Sequence, residues 1–230
     1  MLILAIDTSG QSGGITLAQA GEKPFRVIES APIAGGTFSA QLIPTLAALL
    51  SKHGYSAKDL GGLAAASGPG SFTGLRVGLS AIKGLAEVLS KPIAVVTVLE
   101  ALAEVSEQAG KIAAALDAGR SEVFLGIYEP ANTADHQPST HMLTEELLSQ
   151  SAFLEKLRHV SPAELVTSDR SVAELASSAG IPVQLVSRSN SETVAKIGAR
   201  KLLAGDVISV EALDANYLRR SDAEIFFKAK

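Results

Sequence analysis

A chain of 230 residues with 47% hydrophobic but only 4% aromatic residues must build its core from Leu, Val, Ile and Ala. Its length suits one large α/β domain or two small lobes. The net charge of -4 gives no general attraction to nucleic acid or to an anionic membrane, and the absence of cysteine excludes disulfides, thiol catalysis and Cys-ligated metals. The mean hydropathy of +0.26 is high for a chain without a membrane span, so extra apolar surface must be buried, in the fold or against a partner.

In chain order, Leu2–Ile6 is an all-apolar strand that ends at Asp7, which reads as a strand and not as a signal peptide. Gly-rich residues 7–14 turn the chain into a second strand, Ile15–Ala18, and Phe25–Ile33 is predicted to extend the meander. Ser39–Lys52 is a helix containing Pro44 and stopped by Gly54. Gly62–Ser67 is a strand, Thr73–Ser90 a helix and Ile93–Thr97 a strand. Thr97-Val98-Leu99-Glu100 then fits a capping box for a third helix. The second half restarts the pattern. Leu4-Ala5-Ile6-Asp7-Thr8-Ser9 is echoed by Ala114-Ala115-Leu116-Asp117-Ala118-Gly119, and a return strand, Val123–Tyr128, follows. Polar residues 129–137 read as a loop, Leu143–Leu157 as a helix and Glu164–Ser168 as a strand. Ser171–Glu174 reads as a capping box for a helix ending at Gly180, Val183–Val186 as a strand, and Ser189–Glu192 as the cap of a last helix that reaches Gly205. Two tandem α/β lobes are expected, residues 1–103 and 104–230, with the helix over 190–205 a candidate to pack back on the first lobe.

The most informative stretch is Gly68-Pro69-Gly70-Ser71-Phe72-Thr73-Gly74-Leu75-Arg76-Val77-Gly78, between a strand and a helix start. Such a loop can hold an anion on free backbone N–H groups, or serve as a rigid turn. It lacks the Lys-Ser/Thr pair of a P-loop and does not fit the dinucleotide fingerprint. Asp7 and Asp117, at equivalent strand ends, could hold Mg²⁺ with a nucleotide, or each could cap its own turn. Asp7, Thr8, Ser9, Gly70, Ser71 and Asp117 are therefore the candidate phosphate- or nucleotide-proximal residues. Gly10-Gln11-Ser12-Gly13-Gly14 matches the G-x-S-x-G pattern, but a strand follows where a nucleophile elbow needs a helix. His53, His136, His141 and His159 form no metal-ligand spacing, so no metal site is assigned. Arg200-Lys201 and Arg219-Arg220 read as solvated faces.

Two helices are too apolar for one buried stripe. The first carries Leu42, Ile43, Leu46, Leu49 and Leu50. The second carries Leu75, Leu79, Ile82 and Leu85, with Gly78 and Gly84 allowing close approach. Either they are sandwiched inside a lobe or they form a partner interface.

Ile6-Asp7-Thr8-Ser9, the Gly68–Arg76 loop, Asp117-Ala118-Gly119-Arg120-Ser121-Glu122-Val123-Phe124 and Tyr217-Leu218-Arg219 together resemble the bacterial TsaB (YeaZ) proteins from end to end. The resemblance implies two actin/Hsp70/sugar-kinase-like (RNase H-like) lobes with mixed sheets flanked by helices. It implies a cytoplasmic, non-catalytic subunit in the synthesis of threonylcarbamoyladenosine beside the tRNA anticodon. The catalytic, metal-bearing partner would be the paralogue TsaD, with the ATPase TsaE completing the assembly and tRNA reached only through the complex. It also implies a homodimer when the chain is alone, no membrane and no cofactor beyond a weak or interface-shared nucleotide. The two apolar helices become the expected contact surface, with Leu46, Leu49, Leu79 and Ile82 buried against TsaD. Two positions depart from the family pattern: Phe38 stands where histidine is common, and Ala215 where a proline precedes Tyr-Leu-Arg. The competing expectation is a small-molecule phosphotransferase of the same fold, with Asp7 and Asp117 on Mg²⁺.

Overall fold

The computed structural model describes residues 1–21, 24–132, 138–186 and 191–215, without the side chains of 131, 132, 138 and 139. Tyr217-Leu218-Arg219, Arg219-Arg220, His136 and the Ser189-Asn190 cap lie outside the described residues. The described residues form two compact units, 1–98 with 191–215, and 99–186.

The first unit contains β1 (Leu2–Asp7), β2 (Ser12–Gln19), β3 (Arg26–Ala34), α1 (Phe38–Lys52), β4 (Leu60–Ala66), α2 (Phe72–Leu89) and β5 (Ile93–Val96). Its sheet has the order β3-β2-β1-β4-β5. β1 pairs antiparallel with β2 (Leu4 opposite Leu17) and parallel with β4 (Ala5 opposite Ala64). Every residue of β1 is buried, as a central strand covered on both faces must be. Leu4 and Ile6 face α1 and α2 in the main core cluster, while Ile3 packs with Ala199 and Leu202 on the opposite face. That second face is covered by a helix from late in the sequence, Ser191–Ala204. Its Gly198 comes so close that a Cβ there would sit 2.4 Å from the Cβ of Ala64.

The second unit opens with α3 (Val98–Ala103), whose first residue belongs to the first unit. Then come β6 (Ile112–Gly119), β7 (Glu122–Asn132), β8 (Pro138–Ser149), α4 (Gln150–Val160), β9 (Glu164–Thr167), α5 (Arg170–Ser178) and β10 (Val183–Leu185); the late helix over 191–204 is α6. The sheet order is β10-β9-β6-β7-β8. Position for position this repeats the first sheet: a three-stranded antiparallel meander followed by two parallel strands. The duplication weakly visible at Asp7 and Asp117 is thus a duplication of whole topology, and the fold is α/β with two lobes of mixed sheet flanked by helices.

Two elements differ from the sequence reading. Where the sequence predicts a loop over 129–137 and a helix over 143–157, β7 continues to Asn132 and β8 runs from Pro138 to Ser149, so that the helix begins only at Gln150; residues 133–137 lie outside the described residues. Leu148 lies opposite Val123 and Glu146 opposite Leu125, so pairing with β7 overrides the helical propensity of Leu-Thr-Glu-Glu-Leu-Leu. α5 starts at Arg170, one residue before the proposed Ser171 cap, with Asp169 in the cap position.

Candidate functional site

The glycine loop is built around the turn after β1. The Thr8 hydroxyl donates to the Gly74 carbonyl (2.7 Å), the Ser71 N–H donates to the Ser9 carbonyl (2.7 Å), and the Ser71 hydroxyl accepts the Gly74 N–H (3.2 Å) as the N-cap of α2. Gly70, Gly74 and Gly78 form a bare stripe at four-residue spacing. A Cβ at these positions would lie 2.4 Å from the Ser9 carbonyl oxygen, 2.1 Å from the Thr8 carbonyl oxygen and 2.3 Å from the Thr8 hydroxyl. The three glycines let residues 8 and 9 pack directly on the start of α2. Gly84 is different: among the described residues a Cβ there would meet nothing within 4 Å, so none of them makes the close approach expected at that position.

Asp7 is 2% exposed, and its carboxylate accepts the N–H of Ser9 at 2.9 Å. Asp117, in the other unit, is exposed and accepts the N–H of Gly119 at 2.8 Å, while its own N–H donates to the Asp169 carboxylate at 2.8 Å. The same Asx turn therefore closes β1 and β6. Among the described residues there is no group of three or more His, Asp or Glu that could hold a metal ion. No described helix is long and apolar enough to cross a membrane.

The surface of α1 and α2 requires a correction. Leu42, Leu46, Leu49 and Leu50 are buried in the core of the first unit, and so are Leu75, Leu79 and Ile82. Leu85 is half-buried against the same cluster. These side chains hold the helices to the sheet and to each other, so Leu46, Leu49, Leu79 and Ile82 are not free to be buried against a partner. The breadth of the apolar pattern arises because both helices pack on the sheet and on one another. Of the proposed interface residues on α1, Ile43 is the one left outside, 52% exposed.

Between the helices lies an open groove of about 580 Å³. Ser39, Leu42 and Ile43 line it from α1, and Phe72, Thr73, Arg76, Val77, Ser80 and Ala81 from α2. Phe72 is 40% exposed, and the Arg76 guanidinium carbon lies 3.7 Å from the centre of its ring, a cation–π contact across one helical turn. Sequence reasoning missed Phe72, Arg76, Val77 and Ala81. The available signal was their four- and five-residue spacing on the face of α2 that the leucines leave vacant. At the far end of α1, Lys52 Nζ donates to Glu29 at 2.8 Å and His53 Nε2 lies 2.7 Å from the same carboxylate. These contacts, Lys52 first and His53 next, hold the Glu29 carboxyl below its ordinary range.

Residues 32–189 match the family model described as TsaD, tRNA N6-adenosine threonylcarbamoyltransferase. The chain is 35% identical over 133 residues to the tRNA threonylcarbamoyladenosine biosynthesis protein TsaB of Bacillus subtilis, a match that spans 57% of this chain and 57% of that protein. It is 27% identical to the TsaB protein of Escherichia coli over 97% of this chain and 96% of that one. Among solved structures, YeaZ from Pseudomonas aeruginosa superposes with a TM-score of 0.74 at 22% identity, covering 94% of this chain and 100% of that chain.

Proposed function

From a chain that belongs to the family of the TsaD model, on its TsaB (YeaZ) branch, we propose a non-catalytic, activating subunit for the formation of threonylcarbamoyladenosine on tRNA. The relatives named TsaB support the pathway. The α1/α2 groove, with Ile43 and Phe72 exposed beside it, is the single observation that carries the mode of action. An apolar, preformed groove between two helices suits a helical partner, read through anchors at three- and four-residue spacing. The transferase model matches residues 32–189, which contain α1 and α2, and this supports a TsaD paralogue that presents equivalent helices. The groove is the seat for those helices, and its filling orders the paralogue's catalytic cleft.

The reading extends to TsaE as the ATPase of the assembly, to self-pairing through the same groove when the chain is alone, to tRNA contact only within the complex, and to a cytoplasmic location. Any nucleotide would sit at a shared interface. The test is co-purification with the TsaD paralogue, then a tRNA modification assay with and without this chain. Ile43→Asp is expected to abolish both the complex and the modification while leaving the fold intact. A well-folded Ile43→Asp chain that still binds and still supports modification would refute the groove as the seat.

A further inference from the structure

We propose that Pro44 is a positioning residue of the partner seat: it bends α1 and so keeps the α1/α2 groove open over the first half of that helix. This rests on the groove being the seat, as argued above. Pro44 stands inside α1, beyond the first turn where a proline is readily accepted. It has no N–H for the carbonyl of Ala40, and its ring presses on that same carbonyl. Sharp bends in helices arise at such residues.

The groove is confined to the part of α1 ahead of the proline. Ser39, Leu42 and Ile43 line it, and no α1 residue from Pro44 to Lys52 does. The two halves of the helix are also anchored differently. Beyond the proline, Leu46, Leu49 and Leu50 fix the helix to the core. Ahead of it, Phe38 and Leu42 draw the helix down toward the sheet. Phe38 lies against β2 at Gly13, where a Cβ would sit 2.9 Å from the ring. Little else holds this first half in line. The Thr37 hydroxyl bonds back to the Ala34 carbonyl at 2.6 Å instead of capping α1, and the first turn carries no acidic residue. Pro44 is on the exposed face of α1 with Ala40, Ile43 and Ala47, so its ring crowds the turn from the solvent side and the first half leans inward. The space left above it is the groove. A residue with an N–H at this position restores the Ala40 bond and straightens α1, which firms the helix and moves the Ser39–Ile43 wall into that space. Higher stability and a poorer seat therefore go together.

The experiment uses the full chain, wild type, Pro44→Ala and Pro44→Val, with the purified TsaD paralogue. Both substitutions restore the N–H, and the valine also keeps apolar bulk close to that of the ring. Urea unfolding reads stability, amide exchange reads the new N–H at position 44, and titration calorimetry reads affinity. Pro44→Ala is expected to raise the unfolding midpoint, to show a slowly exchanging N–H at position 44, and to bind the paralogue about tenfold more weakly. Pro44→Val should lose affinity to a similar degree. A merely structural proline would leave affinity unchanged while stability rose, and that result overturns this inference alone. So does a lowered unfolding midpoint in Pro44→Ala or a rapidly exchanging N–H at position 44. Wild-type affinity in Pro44→Val would make the ring a contact and not the cause of a bend, with the same consequence. Failure of the wild-type chain to bind the paralogue overturns the seat reading and this inference with it.

Discussion

Gly78→Ala, tested alone and with Thr8→Ala, probes whether the glycine stripe exists for contact with the turn after β1. The new Cβ would sit 2.3 Å from the Thr8 hydroxyl and 3.3 Å from Ile6 Cγ2. Such overpacking costs about 3 kcal/mol, and the gain from replacing a mid-helix glycine is about 1 kcal/mol, a net loss of about 2 kcal/mol. Thr8→Ala removes the buried hydrogen bond to the Gly74 carbonyl and a buried methyl, together also worth about 2 kcal/mol. In the double variant the obstructing hydroxyl is gone and only the helix gain remains. The total should then be about 1 kcal/mol instead of the additive 4 kcal/mol, roughly 3 kcal/mol of coupling. Gly74→Ala serves as the control. Its Cβ would lie 2.1 Å from the Thr8 carbonyl oxygen, which no side-chain change removes, so Thr8→Ala should bring no relief. Urea unfolding followed by circular dichroism measures the losses, and amide exchange in β1 and α2 assigns them to the first unit. If Thr8→Ala leaves the cost of Gly78→Ala unchanged, the stripe does not owe its glycines to this contact.

Three further outcomes are expected. Leu42→Ala, at a site 1% exposed, should cost about 2–5 kcal/mol in urea unfolding, whereas Ile43→Ala should change stability little and instead weaken partner binding. Gly84→Ala, in open space on α2, should raise stability by about 1 kcal/mol; a loss would show a neighbour that the structure does not place there. Glu29 has its carboxyl lowered below the ordinary 4.5, so its contact with Lys52 and His53 stabilises fully above that value and is lost as pH falls through the lowered one. An acid titration of the unfolding midpoint should show an extra loss below about pH 4.5 that Glu29→Gln lacks.

Much of the fold was legible because β1 and its neighbours carry a strong local signal: short apolar runs closed by glycine and aspartate. The turn at Asp7 was also visible at Asp117, and the duplication it suggested extends through both sheets. The β7–β8 hairpin was not legible. Leu143 to Leu148 has helical composition, and only its distant partner strand makes it extended. The groove was half legible. An apolar excess on α1 and α2 was plain from Leu42 to Leu85, but whether a leucine faces the sheet or a partner depends on where the second helix lies. Burial assigns the leucines to the core and leaves Ile43, Phe72 and Arg76 outside.

The first sheet is complete by Val96, yet the helix that roofs one of its faces is not encoded until Ser191–Ala204. A ribosome therefore releases Ile3, Ala5 and Ala64 with nothing over them and must add roughly another hundred residues before Ala195, Gly198 and Ala199 arrive. During that interval the nascent sheet is a sticky, unfinished surface that invites chaperones. A chain cut short before α6 should accumulate as insoluble material and not as a usable half.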